Sequence, residues 1–293
     1  MDFKNAKELL ILCEEQNLPI SEIMRQREIR VGERDAVETD KKMVRVLEIM
    51  KEAACSPIQH PIKSMGGLIG GESKKLSEHF ASGNGLCGEL LEKAMIYAMA
   101  TLETNASMGL IVASPTAGSA GIVPGLLLAF QKVYGISDEA IRQVLFNAGA
   151  VGYLAMRNAT VAGAVGGCQA EVGIASAMAA SAAVELMGGT PKQCLDAAST
   201  VLMNMLGLVC DPVGGLVEYP CQNRNAAGVA NALIATEMTL AGVPQFIPFD
   251  EMLEAMYKVG KRLPAELRET ALGGCAATPS ACEACHLCHK LFK

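Results

Sequence analysis

The stretch VAGAVGGCQAEVGIASAMAASAAVELM, residues 161–187, decides the fold class. Alanine and glycine fill nearly half of it, and its few polar residues, such as Gln169 and Glu171, do not form a polar stripe. A helix that is apolar all round is buried, and small side chains let neighbouring helix axes approach closely. The stretch therefore predicts a central helix surrounded by other helices.

The segments around this stretch carry start and stop signals for helices. Ser137, followed by two acidic residues, forms an N-cap, and Thr190 with Gln193 forms a capping box. A further helix is expected over 86–104, and another from Asp250 toward Lys261 that stops near Pro264. No regular polar-apolar alternation is bounded by hairpin turns, so strands are not expected. The predicted fold class is all-α.

The chain is expected to divide into three regions within this helical architecture. Residues 1–59 form peripheral N-terminal helices, with two amphipathic helices over 3–54, the second capped by Asp40. Residues 60–281 form a single helical catalytic domain with an Ala/Gly-rich central helix and glycine-rich active-site loops. Residues 282–293 form a tail rich in cysteine and histidine.

Composition excludes several classes of protein. With 51% hydrophobic and 19% charged residues, the 293-residue chain is globular and not disordered. A net charge of −6 and the absence of tryptophan argue against a nucleic-acid partner. Serine, proline and glycine interrupt the apolar stretches, so no membrane span is expected. No secretory signal is visible, which indicates a cytoplasmic protein whose eleven cysteines are not a disulfide framework.

Three of these cysteines lie in contexts that suit a metal. Cys168 lies in GGCQAEVG, and Cys210 and Cys221 bracket CDPVGGLVEYPC, whose glycines and prolines predict a loop. Thiolates are soft ligands that suit iron-sulfur clusters, and neighbouring glycines expose N–H groups that can donate to cluster sulfurs. The alternative is that all three are small buried hydrophobic residues, as Cys13, Cys55, Cys87 and Cys194 are expected to be.

Four longer motifs resemble a known family. They are SPTAGSAGIVPG at 114–125, GGCQAEVGIASAMAA at 166–180, CDPVGGLVEYPCQNRNAAGVANA at 210–232 and GGCAATPSA at 273–281. In this order they resemble the alpha chain of the iron-sulfur-dependent L-serine dehydratases, over about 60–280. The resemblance implies a helical catalytic domain that binds one 4Fe-4S cluster through Cys168, Cys210 and Cys221.

The family converts L-serine to pyruvate and ammonia without pyridoxal phosphate. The resemblance implies that the iron without a cysteine ligand acts as a Lewis acid toward the substrate hydroxyl while a base removes the Cα proton. The sequence alone leaves Lys63 open as a Schiff-base lysine. His60 and Lys63 are the two predicted bases because both lie beside a glycine-rich loop.

Two loops and one helix start supply the predicted substrate-binding residues. Hydroxyls and successive N–H groups suited to a carboxylate occur in KSMGG at 63–67 and in SPTAG at 114–118. Amide side chains follow Cys221. These residues are Ser64, Gly66, Gly67, Ser114, Thr116, Ala117, Gly118, Asn223 and Asn225. The alternative is ordinary turn chemistry, and for the asparagines a backbone partner. Glu171 and Asp211, near the cysteines, are expected either to orient groups around the metal or to cap helices.

The resemblance also implies a separate beta subunit, because about sixty residues precede KSMGG and single-chain relatives carry the beta portion there. Two other functions remain open at this point. One is a related dehydratase or desulfidase acting on threonine or cysteine, since a methyl group or a thiol changes discrimination by only about 1–3 kcal/mol. The other is a non-catalytic protein that senses redox state or carries metal.

The tail CEACHLCHKLFK departs from the family pattern. Cys282, Cys285 and Cys288 are spaced C-x2-C-x2-C and interleaved with His286 and His289. Four interpretations are open: a haem attachment, which the missing export signal disfavours; a zinc or second iron-sulfur site; a mobile tail whose thiols approach the catalytic cluster; and an exposed disordered tail.

Overall fold

The computed structural model describes residues 2–284, which form a single helical domain. This part of the chain contains no β-strand, only one isolated bridge between Cys210 and Arg268. The helices are α1 Ala6–Gln16, α2 Ile20–Val31, α3 Ala36–Gln59, α4 Glu72–Ala81, α5 Gly88–Ala106, α6 Ile122–Tyr134, α7 Asp138–Asn158, α8 Gly163–Gly166, α9 Ile174–Leu186, α10 Pro191–Asn204, α11 Cys221–Leu240, α12 Phe249–Arg262 and α13 Pro279–Ala284. The all-α prediction is confirmed.

Helix α9 is the central helix that the alanine-rich stretch predicts. Every residue from Ile174 to Val184 is buried, and α6, α7, α10 and α11 pack around them. The stretch is not one continuous helix, however. Helix α8 ends at Gly167, whose φ of 76° lies in the left-handed region, and a π-helical turn over Gln169–Gly173 precedes α9. A Cβ at Gly167 would lie 2.7 Å from the carbonyl oxygen of Leu208, so glycine is required there.

The prediction of two N-terminal helices is wrong, because this region forms three. Asn17, with a φ of 52°, ends α1, and Pro19 precedes α2. The start of α3 is capped by Asp35, whose carboxylate accepts the N–H of Glu38 at 2.6 Å. Asp40, the expected cap, lies inside α3 and pairs with Arg25 at 2.7 Å.

The other helix boundaries follow the sequence signals closely. Ser137 caps α7, Thr190 and Gln193 form the capping box of α10, and α12 ends before Pro264. Helix α5, expected over 86–104, spans Gly88–Ala106. These short-range signals act through backbone N–H groups that a helix start leaves without a partner.

Helices α1, α2 and α3 contribute to the same hydrophobic core as the rest of the domain. Phe3, Leu9, Ile20, Ile23 and Leu47 are buried in it, and α2 packs on α7 while α3 packs on α5. The boundary between 1–59 and 60–281 therefore does not separate two cores, and it stays a prediction. Within residues 2–284, no helix combines the length and the hydrophobicity that crossing a bilayer requires.

Glycines at the contact of α5 and α6 set how closely these helices approach. A Cβ at Gly125 would lie 2.9 Å from both the carbonyl oxygen of Ala94 and the Cβ of Ala98. Helix α6 follows the SPTAG loop directly, so this contact also fixes where that loop lies. A Cβ at Gly149, inside α7, would instead lie in open space.

This difference predicts opposite effects for two matched substitutions. Gly125→Ala should lower the free energy of unfolding by about 1–3 kcal/mol, because its methyl group is forced against α5. Gly149→Ala should raise it by about 0.5–1 kcal/mol, because alanine restricts the unfolded chain and meets no obstacle. Urea unfolding measures both values. Equal effects of the two variants would contradict the close approach of α5 and α6.

Candidate functional site

Two of the predicted cysteines lie close to a glutamate in the protein interior. The Sγ atoms of Cys168 and Cys210 and a carboxylate oxygen of Glu171 all lie within 4.8 Å of one another, and all three residues are buried. Cys168 follows the break at Gly167, and Glu171 lies in the π-helical turn. Cys210 is held by backbone hydrogen bonds to Leu267 and Glu269, at 2.9 and 2.6 Å.

Cys221, the third predicted ligand, is the first residue of α11 and is buried. Its Sγ is not within 4.8 Å of all the atoms of the Cys168–Glu171–Cys210 group. Burial raises the pKa of the Cys221 thiol to about 12, and Cys168 and Glu171 act in the same direction. A hydrogen bond with Cys168, followed by burial, likewise raises the pKa of Cys210. The sequence pattern identified Glu171 only as a neighbour of the cysteines and did not predict that it belongs to the Cys168–Glu171–Cys210 group.

Glycine lines one side of this group. A Cβ at Gly163 would collide with Oε2 of Glu171 and lie 2.9 Å from Sγ of Cys210. The sequence shows the glycine but not this close approach, because Cys210 is far away along the chain. A side chain at this position would displace the carboxylate or the thiol.

Glu171 connects the cysteines to the SPTAG loop. Its Oε1 accepts a hydrogen bond from Oγ1 of Thr116 at 2.8 Å, and its Oε2 lies 3.5 Å from Sγ of Cys210. Burial raises the pKa of Glu171, although the hydrogen bond from Thr116 opposes the shift. Gly118 also borders Glu171, since a Cβ there would lie 3.6 Å from Oε1. The SPTAG loop and the cysteines therefore belong to one site.

The SPTAG loop presents polar groups that the protein leaves unused. Oγ of Ser114 is buried and has no hydrogen-bond partner among the described residues. The N–H groups of Ala117 and Gly118, at the start of a short 3-10 helix, donate none of the described hydrogen bonds. A buried hydroxyl without a partner is costly, which points to a ligand or a water at this position.

The two asparagines after Cys221 differ in their surroundings. Asn225 is fully buried, accepts the N–H of Gly121 at 3.0 Å, and donates to the carbonyl oxygens of Gly118 and Cys221 at 2.8 Å each. Its amide is thus satisfied by backbone and ties the SPTAG loop to the start of α11. Asn223 is exposed. Both substrate assignments stay predictions.

The KSMGG loop is engaged by a carboxylate of the protein itself. Oε1 of Glu218 accepts the N–H of Gly66 at 2.6 Å, and its Oε2 accepts from Oγ of Ser64 and the N–H of Leu68 at 2.6 and 3.0 Å. The N–H of Gly67 donates to Ser64 instead. The loop does bind a carboxylate, as its sequence indicates, but here that carboxylate is the side chain of Glu218.

His60 and Lys63, the predicted bases, are exposed. His60 ends α3, and its backbone N–H donates to Ser56 at 2.9 Å. Neither side chain takes part in any described hydrogen bond or ion pair, and their role stays a prediction.

An ion pair between a half-buried arginine and a buried aspartate lies next to Cys168. Arg224 lies 2.7 Å from Asp211, and its guanidinium also donates to the carbonyl oxygen of Val209 at 2.9 Å. The other oxygen of Asp211 accepts the N–H of Cys275 at 2.6 Å. Asp211 thus fixes the segment after Cys210 to the 3-10 helix Gly274–Ala277, where its carboxylate accepts an N–H of the first turn as a capping residue would.

The remaining cysteines fall into two groups. Cys13 and Cys194 are buried, as expected of packing residues, whereas Cys55 and Cys87 are exposed, so the packing prediction is wrong for them. Cys282 is exposed, with its Sγ 3.8 Å from the carbonyl oxygen of Ala276. The other cysteines and histidines of the predicted tail lie outside the described residues.

The donor set suits a metal that prefers sulfur. The thiols of Cys168 and Cys210 converge with the carboxylate of Glu171, the buried thiol of Cys221 is nearby, and the guanidinium of Arg224 contacts Cys168. A metal cation would compensate the charge of the thiolates that this single arginine does not offset. The raised pKa of Cys221 is expected of a metal-free site, because burial alone disfavours a thiolate. These residues therefore fit a cluster ligated by cysteine.

Burial predicts how the thiols of the metal-free protein react with iodoacetamide. With a pKa of about 12, Cys221 has roughly one thiolate in ten thousand at pH 8, so it should remain unmodified. Its rate should rise with pH up to about pH 12 for as long as the protein stays folded. Cys87 is exposed and should react well before Cys221. Cys55 is also exposed, but partial burial raises the pKa of its thiol, so it should react more slowly than a fully solvated cysteine. Peptide mass spectrometry assigns the sites, and Cys221 reacting as fast as Cys87 at pH 8 would contradict this burial.

Comparisons with known proteins agree with this geometry. The family described as serine dehydratase alpha chain matches residues 15–276. A probable L-serine dehydratase alpha chain of Bacillus subtilis is 49% identical over 95% of this chain and 92% of that protein. An L-serine dehydratase alpha chain of Peptoniphilus asaccharolyticus is 44% identical over 93% and 94%. An L-serine dehydratase of Escherichia coli is 34% identical over 94% of this chain but 62% of its own length. The chain belongs to the serine dehydratase alpha-chain family.

Proposed function

We propose that this chain is the alpha subunit of an L-serine dehydratase, a lyase that converts L-serine to pyruvate and ammonia. The observation that carries the proposal is the buried group of Cys168, Glu171 and Cys210, which Thr116 joins to the SPTAG loop. Relatives that are 44–49% identical over most of the chain bear this name. A group of side chains that could hold a metal and polar donors without an internal partner thus lie in one site.

We further propose that Cys168, Cys210 and Cys221 hold one 4Fe-4S cluster. Cysteine thiolates are the usual ligands of such clusters, and burial protects the cluster from solvent. When bound, a cluster with three cysteine ligands supplies an iron free to act as a Lewis acid toward the β-hydroxyl group of serine. Pyridoxal phosphate is not part of the proposal.

The SPTAG loop is our first choice for binding the substrate carboxylate. Oγ of Ser114 and the N–H groups of Ala117 and Gly118 are free donors, and Thr116 fixes this loop against Glu171. Ser64, Gly66 and Gly67 remain proposed contacts, but Glu218 already takes two of their donors. Donors without an internal partner bind a substrate at lower cost, because no existing hydrogen bond must first break.

The proton on Cα requires a base, for which we keep His60 and Lys63 as proposals. Both lie in the segment that leads into the KSMGG loop, and both are exposed in the structure. A base must come within hydrogen-bond distance of the proton it removes, and catalytic contacts often tighten only when substrate binds. Glu218 holds the loop next to this segment through the hydroxyl of Ser64 and the N–H of Gly66.

The proposal includes a beta subunit as partner and the cytoplasm as location. Relatives named alpha chain are about as long as this chain, whereas the relative from Escherichia coli is matched over only 62% of its length. The extra portion of that protein is consistent with a second subunit fused to the first. The enzyme is therefore best assayed with and without its partner.

Replacing the proposed ligands tests the proposal. After anaerobic reconstitution with iron and sulfide, Cys168→Ser, Cys210→Ser and Cys221→Ser should each lose cluster absorbance and serine-to-pyruvate turnover together. A hydroxyl is a poor ligand for a thiophilic metal. Cys13→Ser is the matched control, because Cys13 is also buried but lies in α1. Turnover in the wild type without bound iron would contradict the mechanism, and full iron content in Cys210→Ser would contradict its role as a ligand.

Removing the hydroxyl of Ser114 tests the carboxylate site. Ser114→Ala should lower kcat/KM for serine about 10- to 100-fold, the value of a hydrogen bond to a charged group, while iron content stays unchanged. Ser119→Ala is a control in the same loop, since its Oγ has partners inside the protein. Steady-state kinetics with serine, threonine and cysteine would measure the effect and the substrate preference. An unchanged kcat/KM in Ser114→Ala would exclude this contact.

A further inference from the structure

Glu218 is a buried carboxylate that the proposed chemistry does not use. Its exposed fraction is 2%, and it forms none of the described ion pairs. Three donors in and next to the KSMGG loop hold it instead. They are the hydroxyl of Ser64 and the N–H group of Gly66, within the loop, and the N–H group of Leu68, which follows it. Burying a carboxylate is costly unless hydrogen bonds compensate it, and these three donors supply that compensation.

The position of Glu218 in the chain shows what the contact joins. It lies in the loop bounded by Cys210 and Cys221, three residues before Cys221. Its backbone carbonyl accepts the N–H of Gln222 at 2.9 Å, in the first turn of α11. Its side chain therefore connects the KSMGG loop, about 150 residues earlier, to the backbone that carries Cys221.

Two further contacts make this connection tight. A Cβ at Gly66 would lie 2.8 Å from Oε1 of Glu218 and 2.5 Å from Cδ1 of Leu216, so a side chain there would displace the carboxylate or the leucine. Oγ of Ser64 also accepts the N–H groups of Gly67 and Ile69, both at 3.2 Å. Because Ser64 donates its proton to Glu218 and accepts from its own loop, the carboxylate organises the whole turn.

We infer that Glu218 is a positioning residue: its carboxylate fixes the KSMGG loop to the Cys210–Cys221 loop, and so places Cys221 for the metal site. The inference rests on the proposed function, because it takes Cys221 to be a ligand. The carboxylate-binding pattern of KSMGG serves this internal contact.

Glu218→Gln is the sharpest probe because it keeps the shape and removes one acceptor. Both carboxylate oxygens accept an N–H group, so either orientation of the amide turns an NH₂ group toward a backbone N–H. The matched control is Asp250→Asn. Asp250 also joins distant segments through two backbone N–H groups, those of Ala6 and Lys7, but it does so between α12 and α1.

Three measurements on the full-length variants decide the inference. Hydrogen exchange of the Gly66 and Leu68 amides should be at least about 10-fold faster in Glu218→Gln than in the wild type. Alkylation of Cys221 in the metal-free protein should accelerate by a similar factor, about 10-fold. Iron bound per chain after reconstitution should fall in Glu218→Gln but not in Asp250→Asn, even where thermal unfolding shows equal losses of stability.

The outcomes separate the inference from the proposed function. Unchanged exchange at Gly66 and Leu68, or unchanged alkylation of Cys221, would overturn the positioning role. Faster exchange with full iron content in Glu218→Gln would overturn its link to the metal site. A wild type that binds no iron would refute the proposed function, while exchange and alkylation would still decide whether Glu218 positions Cys221.

Discussion

The break in the apolar stretch at Gly167 is the constraint on which the site depends. An uninterrupted helix from 161 to 187 would satisfy its own backbone and offer no room for a loop beside it. With Gly167 in the left-handed region, the N–H of Gln169 donates to the carbonyl oxygen of Leu208 at 3.0 Å. The side chain of Gln169 completes the joint by donating to Gly166 and Met256 and accepting from Gly207. Cys168 and Cys210 face each other because this joint holds their two segments together.

Three carboxylates that lie close in the chain to Cys168, Cys210 and Cys221 are accommodated in three different ways. Asp211 pairs with Arg224, Glu218 is surrounded by donors of the KSMGG loop, and Glu171 receives a hydrogen bond from Thr116 beside the thiols. Each of them ties a segment near the cysteines to a segment distant in the chain. Buried polar groups that are fully paired favour one arrangement over its competitors, because a shifted arrangement would leave a charge without partners.

Much of the fold could be predicted because its determinants are local. The capping box at Thr190, the cap at Ser137 and the stop before Pro264 all act within one helical turn, and all are confirmed. The cap of α3 at Asp40 was wrong, since Asp35 also suits a cap and lies just after Gly32. The sequence alone does not show which of the two aspartates starts the helix, because that choice depends on packing with the rest of the domain.

The site was less predictable because its contacts join residues far apart in the chain. The motifs brought Cys168, Cys210 and the SPTAG loop to attention, and the structure places them together. Nothing local indicates that Glu218 would fill the KSMGG loop, since a glutamate in a loop is usually solvated. The sequence likewise does not indicate that Gly163 lies close to the carboxylate of Glu171.

We propose that Cys168, Cys210 and Cys221 hold a cluster with one iron open to substrate. Mössbauer spectroscopy of the anaerobically reconstituted protein, before and after addition of L-serine, tests it most directly. The account predicts four irons per chain, one of them distinguishable from the other three, and a change confined to that iron when serine is added. Four irons that are equivalent and unaffected by serine, or a reconstituted protein without iron, would contradict it.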